Sequence, residues 1–284
     1  MWRFFVFLYF VFLNMKKNKI LLLLGIILAL LAIYEYNKDE SNKKVVEPIE
    51  TNRKESSIQL DLLLPKSIGN QVIQHTIYAL SYNETHEQAD WVAYKLYKNS
   101  INDSVKRKDD FRIDPKVITS SATLSDYKKS GYDRGHLAPA KAMSFSKETM
   151  SESFYMSNMS PQKPSFNRGI WKKLEEKVRS WILISDSLYV VTGPVLDKKL
   201  GSIGVNNVSI PRAYYKAILR FKNSQIMGIG FLLNNKKSSL PLNSFTTPID
   251  SIEIVTGLDF FYQLNDSIEN RVEENNVLED FIKE

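Results

Sequence analysis

The chain has 284 residues, of which 43% are hydrophobic, and its 38 Lys and Arg residues exceed its 32 Asp and Glu residues. This length and composition suit one large globular domain or two small ones, and they exclude a wholly disordered protein. The chain has no cysteine, which excludes disulfides, thiolate zinc sites and a cysteine nucleophile. With only three histidines, a metal held by oxygen ligands, such as Mg²⁺, Ca²⁺ or Mn²⁺, is favoured.

Apolar runs occupy residues 2–13 and 20–34, with a lysine-rich segment at 16–19 between them. Basic residues followed by about fifteen apolar residues are typical of a secretory signal or signal anchor. No small-residue cleavage pattern follows, which favours an uncleaved anchor helix within residues 1–36, and Met15 is an alternative start. Because basic flanks tend to stay in the cytoplasm, we expect the body of the protein outside it, anchored to the membrane or secreted if the leader is cleaved.

Three further regions follow the predicted anchor. Residues 37–57 are polar and charged without apolar periodicity, and they predict a flexible linker. Residues 58–264 predict the globular domain and carry a net charge of +8, while residues 265–284 form an acidic tail with a net charge of −5. A basic body weakly favours a polyanionic ligand, although a solvated Lys-rich surface explains it equally well. The tail either folds over a basic groove as a brake or only adds solubility.

Strand-like alternation dominates the globular region, and one segment has helical spacing. The predicted strands lie at 71–83, 91–99, 187–196, 214–221 and 225–233, and the predicted helix covers 167–183. Since regular helices do not separate the strands, we predict an α+β domain with a mostly antiparallel central sheet flanked by helices. In the tail, a closing helix is predicted with Val272, Val277, Leu278 and Phe281 on one side.

The sequence Asp133-Arg134-Gly135-His136 has a pattern suited to phosphodiester chemistry. On a strand, Arg134 and His136 project to the same face because they are two residues apart. A guanidinium can hold a phosphate oxygen while a neutral imidazole takes a proton from water. Gly135 between them would allow a close approach of backbone or substrate. The alternative for His136 is a hydrogen-bonded structural histidine.

A second group of polar residues follows, with Asn158 ahead of the predicted helix and Asn167 and Glu175 on it. Asn167, Trp171 and Glu175 are spaced four and four and share a broad side of a helix. The rise over eight residues is roughly 12 Å, so Asn167 and Glu175 cannot both bind one ion directly. Asn167 would then be the direct ligand and Glu175 would act through water. The alternatives are an N-cap role for Asn167 and a solvated charge for Glu175.

Together, DRGH at 133–136, NMSPQ at 158–162 and N-x-x-x-W-x-x-L-E at 167–175 resemble the DNA/RNA non-specific endonuclease family, whose active site is a ββα-metal (His-Me) finger. The resemblance extends over about residues 70–264. Its further pieces, in the same order, are YN…WVAY (82–94), FRIDP (111–115), VVTGPV (190–195), IPRAYYKAIL (210–219) and TGLDFF (256–261).

The resemblance implies an endonuclease that hydrolyses DNA and RNA with Mg²⁺, Mn²⁺ being an alternative. It implies that His136 is the general base that activates water. Asn167 corresponds to the asparagine that binds the metal, and Glu175 to the acid that fixes the water shell of the metal.

The resemblance also assigns residues around the phosphate. Arg134 corresponds to a phosphate-binding arginine, and Asn158 to the asparagine that supports the histidine and lines the site. A second family arginine precedes the F-x-x-D-P run, and Arg107 is the nearest match. Lys108 and Arg112 are competing candidates for that position.

Two other functions remain compatible with the residues. One is a non-cleaving receptor that binds nucleic acid at the cell surface, which the basic body supports equally well. The other is a phosphodiesterase that acts on a different, small or lipid-linked substrate.

Overall fold

The computed structural model describes residues 63–66, 69–98, 105–197 and 199–283. The predicted anchor at 1–36 and linker at 37–57 therefore lie outside the described residues. Within the described residues, no helix is both long enough and apolar enough to cross a membrane.

A seven-stranded antiparallel sheet forms the centre of the domain. The strands are β1 Gln71–Gln74, β2 Tyr78–Asn83, β3 Gln88–Tyr97, β4 Asp133–His136, β5 Met159–Gln162, β6 Ser187–Val195, β7 Ser202–Ile203, β8 Val208–Ser209, β9 Ala213–Lys222, β10 Gln225–Asn234 and β11 Thr246–Thr247. The order in the large sheet is β1-β2-β3-β6-β9-β10-β11, and β4 with β5 and β7 with β8 form separate pairs.

The predicted strands are confirmed as β1, β2, β3, β6, β9 and β10. Strands β9 and β10 pair with Lys222 opposite Gln225, so Asn223 and Ser224 form a two-residue turn. Both turn residues have positive φ, 48° and 63°, which is the conformation that a right-twisted two-residue hairpin requires. This turn fixes the register of the two longest neighbouring strands.

The helices are short, and most of them flank the sheet. They are α1 Leu124–Tyr127, α2 Lys147–Glu152, α3 Pro164–Phe166, α4 Lys172–Trp181, α5 Ile249–Thr256, α6 Asp266–Glu273 and α7 Leu278–Ile282. Three-residue and four-residue 3₁₀ turns lie at Ala140–Met143, Met156–Asn158, Ile182–Ile184 and Leu242–Phe245.

The helix predicted over 167–183 is present, but it begins earlier and is irregular. It starts at Pro164, a residue suited to the first helical turn, and a π-helical segment at Asn167–Trp171 joins α3 to α4. Gly169 within that segment has non-helical dihedrals, φ −107° and ψ −114°. Asn167 is thus inside the helical run, and the N-cap alternative for it is wrong.

Both faces of the sheet are covered. On one face, Leu174, Val178 and Trp181 of α4 pack into the core. On the other face, Ile252 of α5 and Val272 of α6 pack against alternate residues of the same strands. Because it is enclosed from both sides, β6 is buried along its whole length.

The C-terminal segment folds onto the sheet as two helices instead of the single helix predicted. Val272 and Phe281 are buried as expected, whereas Val277 is 43% exposed. The break between α6 and α7 coincides with Asn275, whose side-chain nitrogen donates to the Gly228 carbonyl at 2.8 Å and whose oxygen accepts from the Val277 backbone at 3.1 Å. These local hydrogen bonds replace those of a continuous helix.

A buried ionic cluster joins the segment after β1 to the loops that precede β5. Nε2 of His75 lies 2.9 Å from Oδ2 of Asp114, and Nδ1 lies 3.7 Å from Oε1 of Glu152. Asp114 also accepts hydrogen bonds from Ser157 Oγ and from the backbone nitrogen of Lys116. Burial alone lowers the pKa of His75, but the carboxylates of Asp114 and Glu152 outweigh it, so this pKa is raised above 6.5.

The raised pKa of His75 predicts a contribution to stability that depends on pH. This contribution is fully present below the unfolded-state pKa of about 6.5, and it is lost as the pH rises through the higher pKa of the folded protein. Thermal unfolding of wild type and His75→Gln should therefore show a larger difference in Tm at about pH 5.5 than at about pH 9. An equal difference at both pH values would contradict a charged His75.

Candidate active site

Strands β4 and β5 bring the sequence motifs together, although 22 residues separate them in the chain. They pair antiparallel with Gly135 opposite Ser160 and His136 opposite Met159. A Cβ on Gly135 would overlap the buried side chain of Gln162 on the neighbouring strand. The space beside Gly135 is therefore filled by the side chain of Gln162, not by backbone or substrate as expected, on the strand face opposite Arg134 and His136.

Two phenylalanines form an aromatic support for the basic residues of the site. The rings of Phe111 and Phe154 meet edge to face at 5.0 Å, and the His136 ring lies 5.8 Å and 4.9 Å from them. The guanidinium of Arg134 lies 4.2 Å from the centre of the Phe111 ring, and that of Arg107 lies 5.0 Å from the Phe154 ring. Cation–π attraction on both rings thus gathers two arginines around one histidine.

His136 is a neutral side chain in this environment. Burial, together with the positive charges of Arg107 and Arg134, lowers the pKa of His136 to about 3. Its Nε2 is enclosed and makes no hydrogen bond within the described part of the chain. Since this nitrogen has no partner there, the alternative of a hydrogen-bonded structural histidine is not what the structure shows.

Asn158 fixes the chain immediately after His136. Its Oδ1 accepts from the Ala138 backbone nitrogen at 2.8 Å, and its Nδ2 donates to the carbonyls of Ala138 at 3.0 Å and Ser153 at 2.8 Å. The Leu137 backbone nitrogen donates to the Asn158 carbonyl at 3.0 Å. Asn158 is fully buried, and its polar side-chain atoms are used by the backbone, so it acts as a positioning residue.

Asp133 connects the strand of His136 to the helix. Its Oδ2 accepts from Nδ2 of Asn167 at 3.0 Å and from Nε of Arg168 at 2.9 Å, and its Oδ1 accepts from Nη2 of Arg168 at 2.7 Å. The amide nitrogen of Asn167 is thereby occupied. Within the described residues, Oδ1 of Asn167 accepts no hydrogen bond, which makes it an available oxygen ligand.

Glu175 lies in the same charged region as His136 and Arg107. Burial raises the pKa of Glu175, and the positive charges of Lys216 and Arg179 oppose this rise. Burial lowers the pKa of Lys216, and Glu175 opposes that change. Arg107 is close enough to affect the pKa of both Glu175 and His136. The solvated-charge alternative for Glu175 is therefore not what the structure shows.

The structure distinguishes the candidates for the upstream arginine. Arg112 lies over the Tyr155 ring at 4.1 Å, and its Nη1 donates to the carbonyls of Asp110 at 3.2 Å and Ser151 at 2.9 Å. It is thus used in holding loops together. Arg107 instead faces the His136 side, and its bond to the exposed Asp109 is the contact of a surface ion pair.

Sequence reasoning gave no role to Asp133, Lys216 or the two phenylalanines. Lys216 is fully buried, donates to Thr192 Oγ1 at 3.2 Å and lies 4.4 Å from the centre of the Trp171 ring. The sequence signal for Lys216 is its place in the middle of an apolar strand. A lysine buried there needs a compensating partner, which indicates a special environment. Asp133 is the first residue of the DRGH motif, but its position in the sequence did not indicate that Asn167 and Arg168 are its partners.

A cavity of about 380 Å³ lies beside Arg134. The residues that line it are Leu124, Tyr127, Lys128, Tyr132, Asp133 and Arg134. Lys163 extends the positive charge nearby, with its Nζ 4.0 Å from the centre of the Tyr132 ring. The surface next to the site thus combines aromatic and basic side chains.

Known proteins that are similar to this chain are nucleases. The family model described as DNA/RNA non-specific endonuclease matches residues 62–267. Human mitochondrial endonuclease G is 35% identical over 198 residues, which cover 64% of this chain and 67% of the relative. Nuclease C1 of Cunninghamella echinulata var. echinulata is 35% identical over 210 residues, which cover 68% of this chain and 83% of the relative.

The fold is similar to that of a solved structure from the same group. A chain in a crystal structure of the EndoG/EndoGI complex matches with a TM-score of 0.69 and 32% sequence identity, over 75% of this chain and 94% of that chain. The extent of the family match and the identity to these nucleases lead to one conclusion. This chain belongs to the DNA/RNA non-specific endonuclease family and is a nucleic-acid-hydrolysing enzyme.

Proposed function

We propose that this protein is a Mg²⁺-dependent endonuclease that cleaves both DNA and RNA, and that β4, β5 and the helix from Pro164 form its ββα-metal finger. The observation that carries the proposal is the packing of His136, Arg107 and Arg134 on the rings of Phe111 and Phe154, on a strand that Asp133 ties to Asn167. A base and phosphate-binding cations are thus proposed to lie together, on a strand that is hydrogen-bonded to a residue with an available oxygen for a metal.

The residues present fit a hard divalent cation. Asn167 offers its amide oxygen, and Glu175 offers a half-buried carboxylate in the charged region of Arg107 and Lys216. Mg²⁺ prefers oxygen ligands and retains several waters, which suits one direct ligand and one acid acting through water, and Mn²⁺ accepts the same donors. When bound, such an ion supplies positive charge that stabilises a phosphorane-like transition state and the departing oxygen.

The roles of the side chains follow from their surroundings. Nε2 of His136 is enclosed by protein, so Nδ1 is the nitrogen that water can reach, and the proton of the neutral ring then resides on Nε2. His136 accepts the proton of the attacking water at Nδ1. Arg134 and Arg107 hold the non-bridging phosphate oxygens, and Asn158 keeps the backbone after His136 in place.

Low sequence specificity is expected from the same features. The proposed contacts go to phosphate and metal, which carry no direct base information. Beside them, the cavity near Arg134 offers Tyr127 and Tyr132, whose rings suit stacking of any base. DNA and RNA in single-stranded or double-stranded form are therefore proposed as substrates.

We further propose that the enzyme acts outside the cytoplasm, attached through the apolar segment at 20–34 or released from it. The support is the sequence pattern of residues 16–34 alone. Protease added to intact cells should remove the nuclease domain, detected with an antibody against it. Protection of the domain until the cells are lysed would contradict this location.

Activity measurements on single-residue variants test the proposed site. His136→Ala and Asn167→Ala should each lower kcat on plasmid DNA and on RNA by at least about 100-fold, because one removes the base and the other a metal ligand. His86→Ala, at a histidine bonded to Ser209, is the matched control and should retain activity. EDTA should abolish the wild-type activity, and added Mg²⁺ should restore it.

Substitution of the upstream arginine separates binding from chemistry. Arg107→Ala should raise KM more than it lowers kcat, with Lys147→Ala, at an exposed lysine at the start of α2, as the control for loss of charge alone. Full activity of His136→Ala would remove His136 from the mechanism. Binding of DNA by the wild-type protein without cleavage in Mg²⁺ would instead support the non-cleaving receptor.

A further inference from the structure

Three carboxylates from two helices converge on the sheet face opposite α4. Asp250 and Glu253 lie on α5, and Glu273 lies on α6. One oxygen atom of each lies within 4.8 Å of the corresponding oxygens of the other two. Both helices pack on the sheet face that α4 does not cover. The cluster is therefore separate from the candidate active site.

Glu273 has an unsatisfied oxygen in the cluster. The residue is only 5% exposed, and its Oε1 is enclosed without a hydrogen-bond partner in the described part of the chain. A buried carboxylate oxygen without a partner is costly, and two more carboxylates beside it add repulsion. The side chain therefore points to a missing positive partner.

Further acids surround the cluster. Asp259 and Glu269 lie close enough to act on Glu273, so four other carboxylates neighbour it in all. Among the described residues, the ion pair recorded for this group is that of Lys66 with Asp259, at 3.5 Å on the surface. In the described part of the chain, Glu273, Asp250 and Glu253 therefore have no cationic side chain as partner.

Packing on the sheet and one hydrogen bond to the cluster hold the two helices in place. The backbone nitrogen of Phe260 donates to Oε1 of Glu253 at 2.7 Å and orients that side chain. Helix α6 lies directly against β10, as shown by the overlap that a Cβ on Gly228 would have with the carbonyl of Val272. The Asn275 side chain bonds to the Gly228 carbonyl at 2.8 Å. The position of Glu273 is thus set by packing of α6 that does not depend on its own carboxylate.

We propose that Asp250, Glu253 and Glu273 bind one Ca²⁺ ion that links α6 to α5. Calcium takes six to eight oxygen ligands in adaptable geometry at about 2.4 Å, and two ligands of one such ion lie at most about 4.8 Å apart. The observed separations meet this limit. Water completes the coordination, since Asp250 and Glu253 are only partly buried.

Ca²⁺ titration of full-length protein tests the proposal, with Asn167→Ala as the background so that the proposed catalytic metal ligand is absent. In this background, Ca²⁺ at about 100 times its Kd should raise Tm by about 5 °C or more, relative to EDTA. Adding Glu273→Gln should remove the response. Adding Glu274→Gln, the exposed neighbour on the same helix, should leave it intact.

Calorimetry of the same proteins should give one bound Ca²⁺ with Glu273 and none with Gln at this position. If Glu273→Gln does not fold, Asp250→Asn at the partly exposed edge of the cluster replaces it and should weaken Ca²⁺ binding at least about 10-fold. An unchanged Tm in Ca²⁺, or an equal response in Glu273→Gln, would overturn the proposal and leave a proton as the partner of Glu273. Because the readout is binding and Tm, failure here is distinguishable from failure of the proposed nuclease function.

Discussion

The active-site geometry depends on one carboxylate that joins a strand to a helix. Asp133 accepts hydrogen bonds from Asn167 and Arg168, and it lies three residues before His136 on β4. Through this contact, the strand of the proposed base His136 is joined to the proposed metal ligand Asn167, which backbone pairing alone does not achieve. The same contact occupies the amide nitrogen of Asn167 and leaves its oxygen available, which is how an outer partner orients a metal ligand.

Burial supplies the remaining chemistry of the site. The aromatic support of Phe111 and Phe154 lowers the exposure of His136 and holds Arg107 and Arg134 beside it, so the imidazole stays neutral. A positive surface next to a neutral base attracts phosphate without protonating the base. On the other side of the sheet, Glu273 is buried among acids, and the proposed Ca²⁺ ion would offset their charge.

Much of this architecture follows from the sequence, and the missing parts have physical reasons. The alternation of apolar residues predicted the central strands and placed Arg134 and His136 on one face. It could do so because the two-residue repeat of a strand depends only on neighbouring residues. The pairing of β4 with β5, the bond from Asp133 to Asn167 and the choice of Arg107 over Arg112 depend on contacts between distant residues, which spacing does not encode. The single closing helix was wrong because Asn275 bonds to Gly228 of a neighbouring strand.

The most direct test of this account is the Mg²⁺ dependence of cleavage by Asp133→Ala. If Asp133 orients the ligand, the Mg²⁺ concentration for half-maximal activity should rise about 10-fold to 100-fold, with Tm nearly unchanged. Arg168→Ala, which removes the other partner of Asp133 and keeps the bond to Asn167, should retain the wild-type Mg²⁺ dependence. An unaltered Mg²⁺ dependence in Asp133→Ala would contradict the claim that this carboxylate organises the site.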